Sequence, residues 1–256
     1  MRRAALAAPL LIVPVCAVAV QEYKSGVEWP EPAVVTPAEE VGGPPSDAVV
    51  LFDGENLDAF DGGDAWEITD DGYAIAKERQ IHSKQAFGDA QYHIEFRTPA
   101  KIEGAGQGRG NNGLLLMGKY EVQILDSYEN PTYFDGQAAA LYKQFPPLVN
   151  ASRPPGEWQS YDVLFEAPRF DAHGSLVRPA YATVLHNGVA VQVHQELRGG
   201  TSWTDVPAYQ PHAEKAPFSL YYHSNPVAFR NIWVRELDLK RTPTYPSGWD
   251  GERGEG

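Results

Sequence analysis

The chain has 256 residues, 43% of them apolar and 11% aromatic, enough to bury a substantial core and to exclude an intrinsically disordered protein. Its formal charge of −13 argues against a nucleic-acid backbone or an anionic membrane surface as a general partner. With 24 glycines and 21 prolines, residues that penalise helix interiors and favour turns, the composition leans to an all-β protein.

In chain order, residues 1–19 read as a secretory signal peptide: a basic Met1-Arg2-Arg3, an apolar run too short to span a bilayer, and the small-x-small triplet Ala17-Val18-Ala19. The sole cysteine, Cys16, raises a lipoprotein reading, but Val13-Pro14-Val15 lacks the small residue expected before an acylated cysteine. Secreted or periplasmic protein is therefore the expectation, with lipid anchoring the alternative. Cleavage after Ala19 removes the cysteine, and with it disulfide, thiolate and Cys-metal chemistry.

Residues 20–48 carry Pro30, Pro32, Pro37, Pro44 and Pro45 without a sustained period, which predicts an extended arm. Strand-like runs then recur at 49–52, 66–68, 73–76, 92–97, 113–117, 120–125, 161–166, 180–186, 189–194, 218–223 and 229–237. Asn187-Gly188 between two of them predicts a type I′ hairpin. Many short strands and no capped amphipathic helix point to a two-sheet antiparallel β-sandwich of jelly-roll type over residues 49–240. No repeat is visible, so one domain is expected, followed by a loosely packed tail at 241–256.

Gly104, Gly106, Gly108 and Gly110 precede no helix, so they predict an edge loop able to line a cleft rather than a phosphate cradle. The aspartates Asp53, Asp58, Asp61, Asp64, Asp70 and Asp71 miss the spacing of a calcium loop and suit turns. Scattered histidines give no helical zinc pair, although ligands converging from separate strands remain open.

The run from Tyr120 to Asp126 is the most informative. Strand periodicity sends Val122 and Ile124 to one face and Glu121 and Gln123 to the other. An ordinary solvated strand would carry the same pattern. Asp126 has the wrong parity to join Glu121, so it starts a turn or is brought round by a bulge. In 218–223, Ser219, Tyr221 and His223 share a face, and a histidine there can act as acid, base or ligand near neutral pH. Trp66, Trp158, Trp203, Trp233, Tyr128, Tyr142 and Tyr221 offer surfaces on which sugar rings stack, with Trp158 and Trp233 read first as core.

Leu51-Phe52-Asp53-Gly54, Asn112-Gly113, the run from Tyr120 to Ser127, Gly156-Glu157-Trp158, His186-Asn187-Gly188, His223-Ser224-Asn225-Pro226-Val227 and Phe229-Arg230-Asn231-Ile232-Trp233 together resemble the 3-keto-disaccharide hydrolase family over residues 49–237. The stretch before residue 48 also resembles the arm that precedes this domain in some members. The resemblance implies a concanavalin-like jelly roll, related in shape to laminarinase-type glucanases, with its cleft on the concave sheet. It implies cleavage of glycosides already oxidised at C3, the ketone acidifying the C2 proton so that the C1 substituent leaves by β-elimination before water adds. On that reading Glu121 and His223 abstract a proton and protonate the leaving group, in an order left open, while Asp126 orients one of them or binds a metal. Gln123, Asn112, Tyr142, Lys143, Arg230 and Tyr221 would hold hydroxyls or the enolate. A divalent metal on carboxylate and imidazole ligands could polarise the ketone, so the metal set is left unknown. Partners implied are an oxidised glycoside and an oxidoreductase acting at the sugar C3. Two departures from the family pattern bear on the pocket: Tyr221 stands where a Gln commonly precedes the His motif, and the loop from Ile102 to Arg109 is long.

Two other readings stay open. A carbohydrate-binding module of the same shape would bind without turnover. An ordinary glycoside hydrolase would need a second carboxyl, where this strand carries Gln123.

Overall fold

Alternation along each strand divides its side chains between a shared core and an outer face, and the computed structural model describes residue 22 and residues 25–240. The leader with Cys16 and its cleavage triplet, and the tail from 241, lie outside the described residues. Ala33–Leu239 form one compact unit that holds all the strands below. In the other unit, the Val27 amide donates to Ser25 Oγ at 3.2 Å.

The strands are β1 (Val49–Phe52), β2 (Phe60–Asp61), β3 (Glu67–Ile68), β4 (Ala74–Ile75), β5 (Ile81–Ser83), β6 (Ala90–Arg97), β7 (Asn112–Leu116) and β8 (Tyr120–Ile124). They continue as β9 (Gln159–Glu166), β10 (Arg169–Phe170), β11 (Leu176–Arg178), β12 (Tyr181–His186), β13 (Val189–Glu196), β14 (Ser219–Leu220) and β15 (Ala228–Glu236). The larger sheet runs β13-β12-β9-β6-β15-β4-β3, with β1 also on β15, and the smaller runs β2-β5-β14-β7-β8. Their pairs are antiparallel throughout. The expected all-β sandwich is what forms.

Between the sheets lie Tyr92, Ile94, Phe96, Tyr161, Val163 and Phe165 from the larger and Ile81, Leu114, Val122, Ile124, Phe218 and Leu220 from the smaller, all buried. Aromatic edges lock the layers, Tyr92 meeting Phe218 at 5.5 Å and 83°. Asn187 and Gly188 take φ of 53° and 78°, the pair of positive values a type I′ turn needs.

β2, β5, β10 and β11, each of two or three residues, lie outside the strand-like runs read from the sequence and are too short to have shown a period. The run 218–223 forms a ladder only at Ser219–Leu220. The Tyr221 amide still reaches the Gly113 carbonyl at 2.8 Å, after which Ser224 turns the chain at φ 58°.

Before β1, the Gly42 carbonyl accepts from Asn231 Nδ2 and Trp233 Nε1, both at 2.9 Å, pinning this arm segment to the outer face of the larger sheet. Among the described residues no helix is long and apolar enough to cross a membrane.

Candidate active site

β8 is an edge strand of the smaller sheet, and an edge needs its outward backbone groups covered. Residues 139–142 cover them: the Ala139 amide donates to the Gln123 carbonyl at 2.8 Å, Gln123 to Ala140 at 3.0 Å and Tyr142 to Glu121 at 3.1 Å. The Glu121 amide donates to Thr201 Oγ1 at 2.9 Å, and the Thr201 amide to the Lys119 carbonyl at 2.8 Å. Two segments distant in sequence thereby wall in the outer face of β8.

The result is a cleft of about 950 Å³ on that face, lined among others by Glu121, Gln123, Tyr142, Tyr221 and His223. Glu121 is only 8% exposed, and burial pushes its carboxyl up to about 7. Across the ladder, Gly113 makes room for it: a Cβ at Gly113 would lie 2.5 Å from Glu121 Oε1. The Gln123 amide, turned with its nitrogen inward, donates to Glu121 Oε1 at 3.1 Å and to the Asn112 carbonyl at 2.8 Å.

His223 stands exposed at the cleft, and partial desolvation lowers its imidazole below the usual value, which keeps the ring neutral near pH 7. Its ring stacks on Tyr221, centroids 4.8 Å apart at 15°. On the opposite wall the Tyr142 and Tyr133 hydroxyls are 2.8 Å apart. Burial, the Tyr133 hydroxyl and the charges of Glu121 and Asp135 hold the Tyr142 hydroxyl well above its usual range, so it remains a proton donor. The cleft therefore joins a carboxyl that titrates near neutrality, a neutral imidazole, phenol donors and amide groups.

The structure brings together five of the nine residues given catalytic or binding roles from the sequence, Glu121, Gln123, Tyr142, Tyr221 and His223, and with them Trp203, one of the aromatics read as a stacking surface. The other four lie elsewhere. Asp126 is buried past the end of β8, where its amide donates to the Arg109 carbonyl and its carboxylate pairs with the Arg109 guanidinium. It thus secures the glycine-rich loop rather than orienting an acid or base. Arg230 sits on the outer face of the larger sheet, donating from Nε to Glu95 at 2.6 Å beside Trp158, on the far side of the sandwich from the cleft. Asn112 is completely buried under the strand, its Oδ1 accepting from the Gly113 amide at 3.1 Å. Lys143 stands behind the tyrosine pair, its ammonium 3.4 Å from the Tyr133 ring centre.

Sequence reasoning missed Gln107, Asn111, Tyr133 and Thr201, which also line the cleft. The alternating glycines were the one signal, since they belong to the loop that presents Gln107. Trp158 is not core but half-buried between the guanidinium groups of Arg97 and Arg230, whereas Trp233 is buried.

Among the described residues no three His, Cys, Asp or Glu side chains gather in a metal-binding arrangement. In the cleft the candidates are Glu121, Asp205, whose carboxylate accepts from Ser202 and Thr204 hydroxyls, and His223. These residues do not form a donor set for a divalent ion.

Residues 47–235 match the family model described as the 3-keto-alpha-glucoside-1,2-lyase-like domain. A crystallised candidate glycosyl hydrolase from Parabacteroides distasonis is 41% identical, over 90% of this chain and 100% of its own, with a TM-score of 0.77. Two others from that organism share the fold at 20% and 18% identity, over 74% and 75% of this chain and 99% and 94% of theirs, with TM-scores of 0.53 and 0.54. No curated protein matches the chain.

Proposed function

Because the chain belongs to the 3-keto-alpha-glucoside-1,2-lyase-like family, we propose that it is an enzyme that cleaves 3-keto-glycosides by elimination across C1 and C2 followed by hydration. The observation that carries this reading is the order of proton affinities in the cleft. Glu121 is pushed up to about 7 and His223 is lowered, so just below pH 7 the leading form pairs a protonated carboxyl with a free imidazole. That form is ready for elimination without any rearrangement of protons.

His223 Nδ1 or Nε2 takes the C2 proton, which the neighbouring C3 ketone makes acidic, and the electron pair passes into a C2–C3 enolate. The Tyr142 hydroxyl supplies a donor for the enolate oxygen, and the Gln123 and Gln107 amides, whose N–H groups are held by protein partners, leave their oxygens as acceptors for sugar hydroxyls. As the ketone re-forms, the C1–O bond breaks and Glu121 delivers its proton to the departing oxygen. The products are the free aglycone and a sugar with a C1=C2 bond conjugated to the ketone. Water then adds at C1, losing a proton to the Glu121 carboxylate, while His223 returns its proton to C2. Both groups end as they began.

Ordinary retaining hydrolysis would need a second carboxyl beside Glu121, and Gln123 occupies that position on the strand face. The basic-apolar leader supports export, and a separate oxidoreductase that converts a C3 hydroxyl to a ketone must supply the substrate.

The test is incubation of the protein in deuterated water with a 3-keto-disaccharide and with its unoxidised parent. Cleavage of the keto sugar alone, with deuterium at C2, is expected. His223→Ala should lose exchange and cleavage together, whereas Glu121→Gln should keep exchange and lose cleavage of poor leaving groups. Turnover of the unoxidised sugar without C2 label would replace this mechanism by ordinary glycoside hydrolysis, and binding without turnover would replace it by a binding module.

A further inference from the structure

The chain from Gly199 to Ala208 leaves the sandwich and returns to the same point. The Gly200 amide donates to the Ala208 carbonyl at 3.1 Å, and a Cβ at Gly199, whose φ is 142°, would lie 2.3 Å from the Ala208 backbone, so only glycine closes this neck. A second tie, from the Glu121 amide to Thr201 Oγ1, fixes the start of the loop to the strand that carries the catalytic acid. Within the loop the Asp205 carboxylate accepts from the Ser202 and Thr204 hydroxyls, so its polar groups are satisfied internally.

Toward the cleft this loop turns two large apolar side chains, beside the polar Thr201, Ser202 and Asp205. Trp203 and Val206 both line it, yet they are 77% and 87% exposed, large surfaces that the fold leaves mostly uncovered. The facing wall is different in kind: Gln107, Gln123, Tyr133 and Tyr142 present amides and phenols. A 3-keto sugar carries a ketone and several hydroxyls and needs the polar wall. The group released from C1 then falls to the wall of Trp203 and Val206.

Resting on the proposed 3-keto-glycoside reaction, we infer that the 200–208 loop is the aglycone platform and that it selects glycosides whose leaving group is a flat aromatic ring over those that release a second sugar. A planar ring stacked on Trp203 removes two apolar faces from water at once, whereas a sugar ring must surrender hydroxyl hydration beside an indole and beside Ser202, Thr204 and Asp205 side chains already bonded to one another.

The experiment compares wild type, Trp203→Ala, Trp203→Phe and Val206→Ser in two assays. In the first, KM and kcat are measured on phenyl 3-keto-α-glucoside and on a 3-keto-disaccharide. Trp203→Ala should raise KM for the phenyl substrate roughly tenfold, with kcat and the disaccharide KM within roughly threefold of wild type, Trp203→Phe restoring most of the loss. In the second, binding of unoxidised phenyl and methyl α-glucoside is measured by calorimetry. Wild type should prefer the phenyl compound and Trp203→Ala should not. Equal effects on both 3-keto substrates, or no phenyl preference in wild type, would overturn the platform. A Trp203-dependent phenyl preference in a protein that turns over no 3-keto sugar would leave the platform standing and remove the reaction assigned above.

Discussion

Gly113→Ala tests the placement of the acid without touching it. The added Cβ would sit 2.5 Å from Glu121 Oε1 and 3.2 Å from its Cγ and Cδ, where ordinary contact begins near 3.4 Å, so the carboxyl must retreat by about 1 Å. Gly113 is not among the glycines with positive φ, so alanine brings no backbone strain there. The clashing atoms are the end of a flexible side chain, so the stability cost stays near the low end of overpacking, about 1 kcal/mol, or a fall of about 2–4 °C in Tm. Catalysis has no such tolerance: a misplacement of about 1 Å costs roughly 100-fold, equivalent to about 2.7 kcal/mol of barrier. Initial rates on a 3-keto-disaccharide, taken well below the melting transition, measure the effect. Adding Gly113→Ala to Glu121→Gln should cause little further loss, because the two changes act on one group. Activity of Gly113→Ala within roughly threefold of wild type would refute the assignment of Glu121 as proton donor to the leaving group.

Burial raises the Glu121 carboxyl to about 7 from its ordinary value of 4.5, so the fold favours the protonated form, and this stability is full below about 4.5 and lost as pH rises through about 7. Glu121→Gln should therefore melt close to wild type at acid pH and exceed it at pH 9 by up to about 3 kcal/mol, read from denaturant curves at the two pH values. The same titration should make kcat/KM fall above about 7, and the alkaline limb should vanish in Glu121→Gln assayed with an aryl leaving group that needs no acid. Asp126→Asn weakens a buried ion pair with Arg109 and should cost about 3 kcal/mol in chemical denaturation while kcat at low temperature changes little. Arg230→Ala removes a partly exposed pair on the far side of the sandwich and should shift stability by less than about 1 kcal/mol and leave KM unchanged.

Where the sequence was readable, the reason was strand parity. The alternation around Val122 and Ile124 separated core from outer face correctly, and it placed Glu121 and Gln123 together. Parity says nothing of what lies over the outer face. The cover comes from Thr201 and from Tyr142, segments connected to β8 only by the fold, and they turn an apparently solvated strand into one with every residue buried. Asp126 shows the same limit from the other side. Its odd parity marked it as different, but its partner Arg109 belongs to the glycine-rich loop, a pairing that no local spacing encodes. Arg230 failed for a topological reason: β15 sits in the larger sheet, whose inner face is core, so its polar face looks away from the cleft. Residues close in a motif can lie on opposite sides of a sandwich.

The loop at 200–208 links the acid's chemistry to the substrate's recognition. Thr201 accepts the Glu121 amide and helps close the face on which that carboxyl loses its water, and desolvation is what raises the carboxyl to about 7. The same closed loop sets Trp203 over the cleft. A change that loosened the neck at Gly199 would act on both at once, returning the carboxyl toward its value in water, where little of it is protonated near neutrality, and releasing the aromatic wall. Substitutions at the tip, far from the neck, would move only recognition. Proton supply and aglycone choice are thus carried by one element yet remain separable by position along it, and this is why Trp203→Ala can change KM while the acid keeps its proton.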